Sequence, residues 1–359
     1  MNHFLRSLTP TQQVATLFLI VFGVLAIVST MTLLVGFHVR KTAARDEAWQ
    51  RELQHFRRLL TTTWSMVVIF WIGWALGEGM ATLLFALISF FALREFITLS
   101  PTRRGDHRSL ILAFFVVLPI QFLLVGTARF DLFTVFIPVY VFIALPVVSA
   151  LANDPDHFLE RNAKLQWGIT VCVYGLSHVP ALLLLSFPGY EGKSAFLVFF
   201  LVFVVQTCMV VQHLIARRFA YLPPEALAAP VEGHRFDLRR LRATVRQWLA
   251  REPFAPNVSG SFNWASWGVG MVIACVVGAL FSFITPFGYG QALAMSLIAC
   301  VAGSMGHLVM KALKRDRGIP NWGQKGVGVT GANGLLDRVD ALCFAAPVFF
   351  HSVRWYFGV

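Results

Sequence analysis

The feature that most constrains this chain is a series of apolar stretches, each long enough to cross a lipid bilayer. A transmembrane helix needs about 20 predominantly apolar residues, and ten stretches qualify. They are Val14–Gly36, Leu60–Leu76, Met80–Leu99, Leu110–Gly126, Leu132–Leu151, Leu165–Phe187, Ala195–Ile215, Trp264–Thr285, Gln291–Lys311 and Val339–Phe357. We therefore predict an all-α fold, a polytopic transmembrane helical bundle of about ten spans, with a break at Gly77-Glu78-Gly79 between the second and third.

The composition excludes the other main classes of protein. Of the 359 residues, 57% are hydrophobic and 13% are charged, whereas soluble domains carry about 25% charged residues. A soluble enzyme, a disordered chain and a collagen-like fibre are all incompatible with these values. The five cysteines form no CxxC motif or Cys/His cluster, so we interpret them as small packing residues and predict neither a disulfide nor a zinc site.

The distribution of basic residues predicts the orientation. With ten spans, 25 of the 30 lysines and arginines fall in five regions on the same face of the membrane. These regions are 37–59, 100–109, 152–164, 216–263 and 311–338. By the positive-inside rule this face is cytoplasmic, which predicts a multi-pass protein of the inner (cytoplasmic) membrane with both termini outside. The net charge of +12 then reflects topology and anionic lipid, and we expect no nucleic-acid partner.

The chain divides into four predicted segments. Residues 1–60 hold the first span and a basic loop, and residues 61–215 hold the N-terminal bundle. Residues 216–263 combine a proline-containing linker with a basic amphipathic helix at 236–251, and residues 264–359 hold the C-terminal spans. The amphipathic helix is suited to an anionic headgroup layer; the alternative is a solvated helix packed on the bundle.

A polar constellation at 303–340 carries the clearest chemical signal. Lys314-Arg315 follows an apolar span, a glycine-rich loop comes next, and Asp337-Arg338-x-Asp340 enters the last span. Asp337 and Asp340 are three residues apart and share one helix face, where two carboxylates can hold a divalent cation that in turn holds phosphate. Lysine and arginine contact phosphate directly. The alternative is that Asp337 is a helix cap and Arg338 a positive-inside anchor.

This constellation resembles the signature of the phosphatidate cytidylyltransferase (CDP-diglyceride synthase) family. Lys314-Arg315, Asp337-Arg338 and Asp340 match that signature, and the span ending in Arg94-Glu95 resembles the family's early span. The resemblance covers roughly residues 60–359 and is strongest to the short bacterial branch. It implies the fold of that family and a place in phospholipid biosynthesis.

The resemblance also implies a reaction and a set of site residues. In the family, the phosphate of phosphatidate attacks the α-phosphorus of CTP and releases pyrophosphate, leaving CDP-diacylglycerol. By resemblance, Asp337, Asp340 and Arg338 are the catalytic candidates, Lys314 and Arg315 bind substrate phosphate, and the two aspartates hold Mg²⁺. The implied partners are CTP and phosphatidate or another anionic phospholipid, with a homodimer as a further expectation.

Many family positions are nevertheless substituted in this chain. Residues that bind metal or nucleotide in the family are replaced by Cys208, Met209, Asn257, Phe262, Ala265, His307, Asn321, Ala332 and Asn333. Hard Mg²⁺ prefers oxygen ligands, and Phe262 cannot neutralise a triphosphate. We therefore expect weak Mg²⁺ binding and no measurable CTP turnover.

Other functions remain open at this point. The main alternative to an active cytidylyltransferase is a catalytically degenerate relative that binds phospholipid or a membrane partner. A transporter is a third possibility, although no inverted repeat supports it. His307 is interpreted as a neutral histidine hydrogen-bonded within the bundle, with a transition-metal site shared with His213 as the alternative.

Overall fold

The computed structural model describes residues 9–42, 64, 67–68, 71–99, 102–188, 190–218, 253–259, 262–319, 322 and 334–358. All regular secondary structure in these ranges is helical. The long helices are α1 (Pro10–Thr42), α2 (Glu78–Thr98), α3 (107–126), α4 (Phe130–Ala150), α5 (158–183), α6 (Ala195–Arg218), α7 (Trp264–Leu280), α8 (Tyr289–Asp316) and α9 (Leu336–Phe357).

Seven of these helices are long and apolar enough to cross a membrane, namely α1 to α4 and α6 to α8. Each coincides with a predicted span. Helices α5 and α9 form where the sixth and tenth spans are predicted, and about half of Leu60–Leu76 lies outside the described residues. The prediction of a polytopic helical membrane protein is confirmed. The break before α2 is also confirmed, since the chain turns at Gly77 with φ +90°.

Apolar side chains occupy both the interior and the surface of the bundle, as expected for a protein whose surroundings are hydrocarbon. Phe133, Phe200, Phe349 and Phe350 are completely buried at the centre. All five cysteines are buried and free, which confirms their interpretation as packing residues.

Helices α5, α8 and α9 approach one another closely through glycine. A Cβ atom on Gly306 of α8 would lie 2.2 Å from the ring of Phe344, and one on Gly175 of α5 would lie 2.3 Å from the carbonyl oxygen of Cys343. Because a real Cβ atom does not approach other atoms so closely, both positions need glycine. These contacts position α9, which carries the two aspartates of the constellation.

Several loops that are predicted to share one face lie together at one end of the bundle, which we call the basic end. Arg161 joins two of them, with Nε 2.8 Å from Asp106 and Nη1 2.7 Å from Asp154. At the same end, the carboxylate of Glu95 contacts the start of α9, and Lys311 contacts Ser259.

The other end of the bundle, called here the opposite end, holds the C-terminal turn of α9. Phe357 packs there against Phe187 and Phe287, with ring centroids 4.6 and 5.9 Å away. The linker and amphipathic helix predicted at 216–263 lie mainly outside the described residues.

Candidate functional site

Asp337 lies in the first turn of α9 and is held by two donors. Lys314 Nζ lies 2.6 Å from Oδ1, and the backbone N–H of Trp322 donates to Oδ2 at 2.9 Å. The N-cap residue of α9 is Leu335, so the Asp337 side chain acts as an ion-pair partner and not as the helix cap. Asp337 precedes the apolar stretch that begins at Val339. Burial raises the pKa of its carboxyl group, and the hydrogen bond from Lys314 opposes that shift.

Asp340, one turn further along α9, is paired with a different residue. His307 Nδ1 lies 2.6 Å from Asp340 Oδ2, and only 4% of Asp340 is exposed. His307 thus hydrogen-bonds within the bundle, as the sequence suggested. Among the described residues, no group of three or more histidine, cysteine or acidic side chains is arranged to hold a metal.

Glu95, near the end of α2, is a third buried carboxylate at this end. Its two oxygens accept hydrogen bonds from the backbone N–H groups of Gly334 and Leu336, at 2.7 and 2.8 Å. Backbone N–H groups at a helix start have no partner within the helix and favour negative charge. Glu95 therefore caps α9 from a different helix and fixes the position of Asp337.

Three cations on α8 and at the start of α9 form no ion pair in the part of the chain that is described, although the charge of Asp340 acts on Lys311. Lys311 Nζ lies 3.3 Å from the hydroxyl of Ser259, while Arg315 and Arg338 make no ion pair there. Arg315 is exposed. Arg315 and Arg338 follow Lys314 and Asp337 directly in the chain, so their backbones lie at the joint of α8 and α9 where Lys314 and Asp337 meet. The charged side chains that have no ion pair at this joint, among the described residues, are therefore positive.

The described substituted positions lie mostly in the protein interior. Cys208, Phe262 and Ala265 are buried, Met209 is partly buried and Asn257 is exposed. Phe262 packs edge-on against Phe254 at 4.9 Å. Asn321, Ala332 and Asn333 lie outside the described residues, together with Gly326, Gly328 and Gly331 of the glycine-rich loop.

The described residues at this joint do not offer the set of oxygen ligands that a magnesium ion needs. Mg²⁺ needs oxygen ligands in near-octahedral geometry. One oxygen of Asp337 contacts Lys314, and one oxygen of Asp340 contacts His307, so a metal would have to compete with these side chains for the same oxygens. The carboxylate of Glu95 already accepts hydrogen bonds from backbone N–H groups. Lys314 thus supplies the positive charge beside Asp337, and His307 is hydrogen-bonded to Asp340.

An aromatic pocket of about 260 Å³ adjoins this joint. Phe96 and Trp322 stack in its wall with centroids 5.8 Å apart, and the side chains of Lys164 and Arg317 also line it. Trp322 connects the pocket to the site, since its backbone N–H bonds Asp337. The pocket therefore combines an apolar wall with two cations that also pair with nearby acidic residues, Lys164 with Glu160 and Arg317 with Asp316.

Sequence reasoning gave no site role to Glu95, Lys311 or Trp322. The available signal for Glu95 was a carboxylate at the end of an apolar span, where an uncompensated charge is costly. Lys311 and Trp322 carried no comparable signal, because their roles depend on contacts with distant parts of the chain.

Comparison with known proteins agrees with this architecture. The sequence model of the cytidylyltransferase family matches residues 56–220 and 247–356, which is most of the chain. The chain belongs to the cytidylyltransferase family. The resemblance to phosphatidate cytidylyltransferases that the signature suggested is thereby confirmed at the level of the family.

Two relatives illustrate the range of this family. The chain is 30% identical over 296 residues to the uncharacterized protein YnbB of Escherichia coli (strain K12), an alignment covering 82% of this chain and 86% of the relative. It is 30% identical over 105 residues to the phosphatidate cytidylyltransferase of Bacillus subtilis (strain 168), covering 29% of this chain and 38% of the relative. The similarity to the named enzyme thus concerns a limited part of both chains.

Proposed function

We propose that this member of the cytidylyltransferase family binds the phosphate headgroup of an anionic phospholipid at the basic end, without magnesium-dependent nucleotidyl transfer. The observation that carries the proposal is the charge arrangement at the α8–α9 joint. The three carboxylates are engaged by donors of the protein, whereas Lys311, Arg315 and Arg338 form no ion pair among the described residues.

A phosphate headgroup suits these residues for two physical reasons. Arginine presents a planar fork of donors that matches phosphate oxygens, and lysine supplies a compact charge. Basic residues at the end of a membrane bundle also attract anionic lipid, by about 1 kcal/mol for each cation near the surface. Phosphatidate, the lipid implied by the family, carries such a phosphate.

The adjoining pocket supports binding of a whole lipid headgroup region. The apolar wall formed by Phe96, Leu99 and Trp167 is suited to glycerol and the start of an acyl chain, and Lys164 and Arg317 line the same space. We further propose that the basic end faces the cytoplasm in the inner membrane, where anionic lipids meet the positively charged loops.

The first test measures lipid binding directly. Detergent-purified protein is titrated with short-chain phosphatidate and with phosphatidylcholine of the same chains. We expect phosphatidate to raise the unfolding temperature more strongly, because only its headgroup has net negative charge. The double variant Arg315→Gln/Arg338→Gln should weaken phosphatidate binding about tenfold or more, since charged hydrogen bonds are lost.

The control is Arg129→Gln, which removes an exposed arginine at the opposite end and should leave binding unchanged. Chelating divalent ions with EDTA should also have no effect. Equal binding of the two lipids, or equal loss in the Arg129 control, would contradict an anionic site at the α8–α9 joint.

Phosphatidate cytidylyl transfer is the second candidate function. It is favoured by family membership and by the matched residues Lys314, Arg315, Asp337, Arg338 and Asp340. Incubation of the protein with phosphatidate, Mg²⁺ and labelled CTP distinguishes the two. Formation of labelled CDP-diacylglycerol, with activity lost in Asp337→Asn, would replace lipid binding by an enzymatic role in phospholipid biosynthesis.

A further inference from the structure

A groove opens on the side of the bundle between α5 and α9, well away from the basic end. It encloses about 640 Å³. Val171, Phe344, Pro347, Val348 and Trp355 form most of its wall, so the surface is largely apolar. The close contact between Gly175 and Cys343 brings the two helices together beside it.

A hydrogen-bonded pair of polar side chains also lines this groove. Tyr174 Oη lies 3.1 Å from His351 Nε2, and its other acceptor, the carbonyl oxygen of Thr134, lies 3.5 Å away. A neutral imidazole carries one ring proton. In the tautomer with that proton on Nδ1, Nε2 accepts a hydrogen bond from the Tyr174 hydroxyl; in the other tautomer, Nε2–H donates to Tyr174 and the hydroxyl donates to Thr134. In the first tautomer, Nδ1–H has no acceptor within the described residues, and the exposed hydroxyl of Thr170 likewise has no partner there.

Unpaired donors are costly in this environment. The hydrocarbon core contains no water to accept their hydrogen bonds, and an unsatisfied polar group there costs several kcal/mol. A molecule that fills the groove and presents a hydrogen-bond acceptor beside His351 therefore favours the tautomer with the proton on Nδ1, while the rest of the molecule remains apolar.

The depth of His351 indicates which acceptor is available. His351 lies six residues before Phe357 at the end of α9, about 9 Å along the helix, and about 22 Å from Leu336 at the basic end. Trp355 is 86% exposed one turn further along, and tryptophan concentrates at the membrane–water interface. The groove therefore extends inward from the interface of the opposite leaflet, where the ester groups of glycerolipids lie above their acyl chains.

We propose that this groove binds an ester-linked glycerolipid of the leaflet opposite the basic end. An ester carbonyl oxygen accepts the hydrogen bond from His351 Nδ1, and one acyl chain lies along the apolar wall between α5 and α9. Tyr174 is a positioning residue, because its hydroxyl fixes the ring and the protonated nitrogen of His351.

The experiment compares two lipids that differ only at the proposed acceptor. Detergent-purified full-length protein is titrated with diacyl phosphatidylcholine and with its dialkyl ether analogue, which lacks carbonyl oxygens, and bound lipid is counted by native mass spectrometry. Phosphatidylcholine has no net charge, so failure of the anionic site at the basic end would not affect this comparison. The variants are His351→Phe, which removes the donor, and His351→Asn, whose amide N–H replaces Nδ1–H. His107→Phe at the basic end is the control.

We expect wild-type protein and His107→Phe to bind the ester lipid about three to ten times more tightly than the ether lipid, as the loss of one hydrogen bond predicts. His351→Phe should bind both lipids equally, and His351→Asn should retain the preference. Equal binding of both lipids by wild-type protein, or a preserved preference in His351→Phe, would overturn the proposal. Unfolding temperatures of the variants establish that each one is folded.

Discussion

At the scale of single residues, the two aspartates of the signature have separate basic partners. Asp337 pairs with Lys314 and Asp340 with His307, each at 2.6 Å. In a partly buried site, a carboxylate without a partner is costly, so these pairs stabilise the joint between α8 and α9. They also occupy carboxylate oxygens that a divalent cation would need.

The Lys314–Asp337 pair predicts a specific loss of stability. Lys314→Gln leaves the partly buried Asp337 without its cation and should lower the free energy of unfolding by about 1–3 kcal/mol. Lys314→Gln/Asp337→Asn should recover part of this loss. Denaturation in detergent measures both, with the exposed Arg315→Gln as a control that should be almost neutral. A double variant less stable than Lys314→Gln would contradict the pairing.

Restoring acids at two substituted positions should not restore cytidylyl transfer. His307→Asp/Asn321→Asp supplies two carboxylates that resemble the family pattern, but Lys314 still engages Asp337, and Asn257 and Phe262 still replace the lysines that would neutralise the triphosphate. We expect no labelled CDP-diacylglycerol from this variant with Mg²⁺ and labelled CTP. Turnover above the wild-type background would show that the metal ligands alone limit activity.

At the scale of helices, proline and glycine together determine how α5 and α9 meet. Pro347 has no N–H to donate to the carbonyl of Cys343, one turn earlier in α9. Gly175 of α5 packs against that carbonyl, within a wider π-helical turn at Thr170–Gly175. The contact places Tyr174 beside His351 and so shapes the groove.

The close approach of α5 and α9 predicts that Gly175→Ala is destabilising. The added Cβ atom would lie 2.3 Å from the backbone oxygen of Cys343, and the backbone cannot move without separating the helices. We expect a lower unfolding temperature and a loss of about 1–3 kcal/mol. Gly268→Ala in α7 is the matched control, since nothing lies within 4 Å of its added methyl group. Equal stability of the two variants would contradict this packing.

The buried arginine between two loops allows a second comparison. Arg161 contacts Asp106 and Asp154 with only 6% of its side chain exposed, whereas Arg103 contacts Asp156 with 48% exposed. Arg161→Gln should cost about 3–5 kcal/mol because it leaves the buried Asp106 without its cation, and Arg103→Gln should cost much less because exposed ion pairs contribute little. Similar losses in the two variants would contradict the burial of Arg161.

At the scale of the whole molecule, the bundle separates two chemically different ends. The basic end collects the loops around Arg161 and the joint of α8 and α9, whereas aromatic packing around Phe357 closes the opposite end. This polarity agrees with the charge pattern from which the orientation in the membrane is predicted.

Cysteine labelling tests that orientation in intact cells. The five native cysteines are buried, so background labelling should be low. A cysteine introduced as Gly233→Cys, in the predicted cytoplasmic segment, should not react with a membrane-impermeant reagent, while Glu191→Cys at the opposite end should react readily. The reverse pattern would invert the topology, and labelling at both positions would contradict the arrangement of ten spans.

The sequence by itself determined the features that depend on local chemistry. Apolar stretches of bilayer length specify transmembrane helices, because the backbone has no other partners in hydrocarbon. Gly77 ends one helical segment through its own conformation, and Lys314-Arg315 with Asp337-Arg338-x-Asp340 indicates the family through residues close together in the chain.

Only the tertiary structure decided which charges meet. Glu95 lies more than 200 residues before Leu336 in the chain, and no local pattern predicts that it caps α9. The same holds for Lys314 with Asp337, His307 with Asp340 and Tyr174 with His351. Such pairs depend on how helices pack, and helix packing depends on small residues such as Gly175 and Gly306, whose neighbours are determined only when the whole bundle assembles.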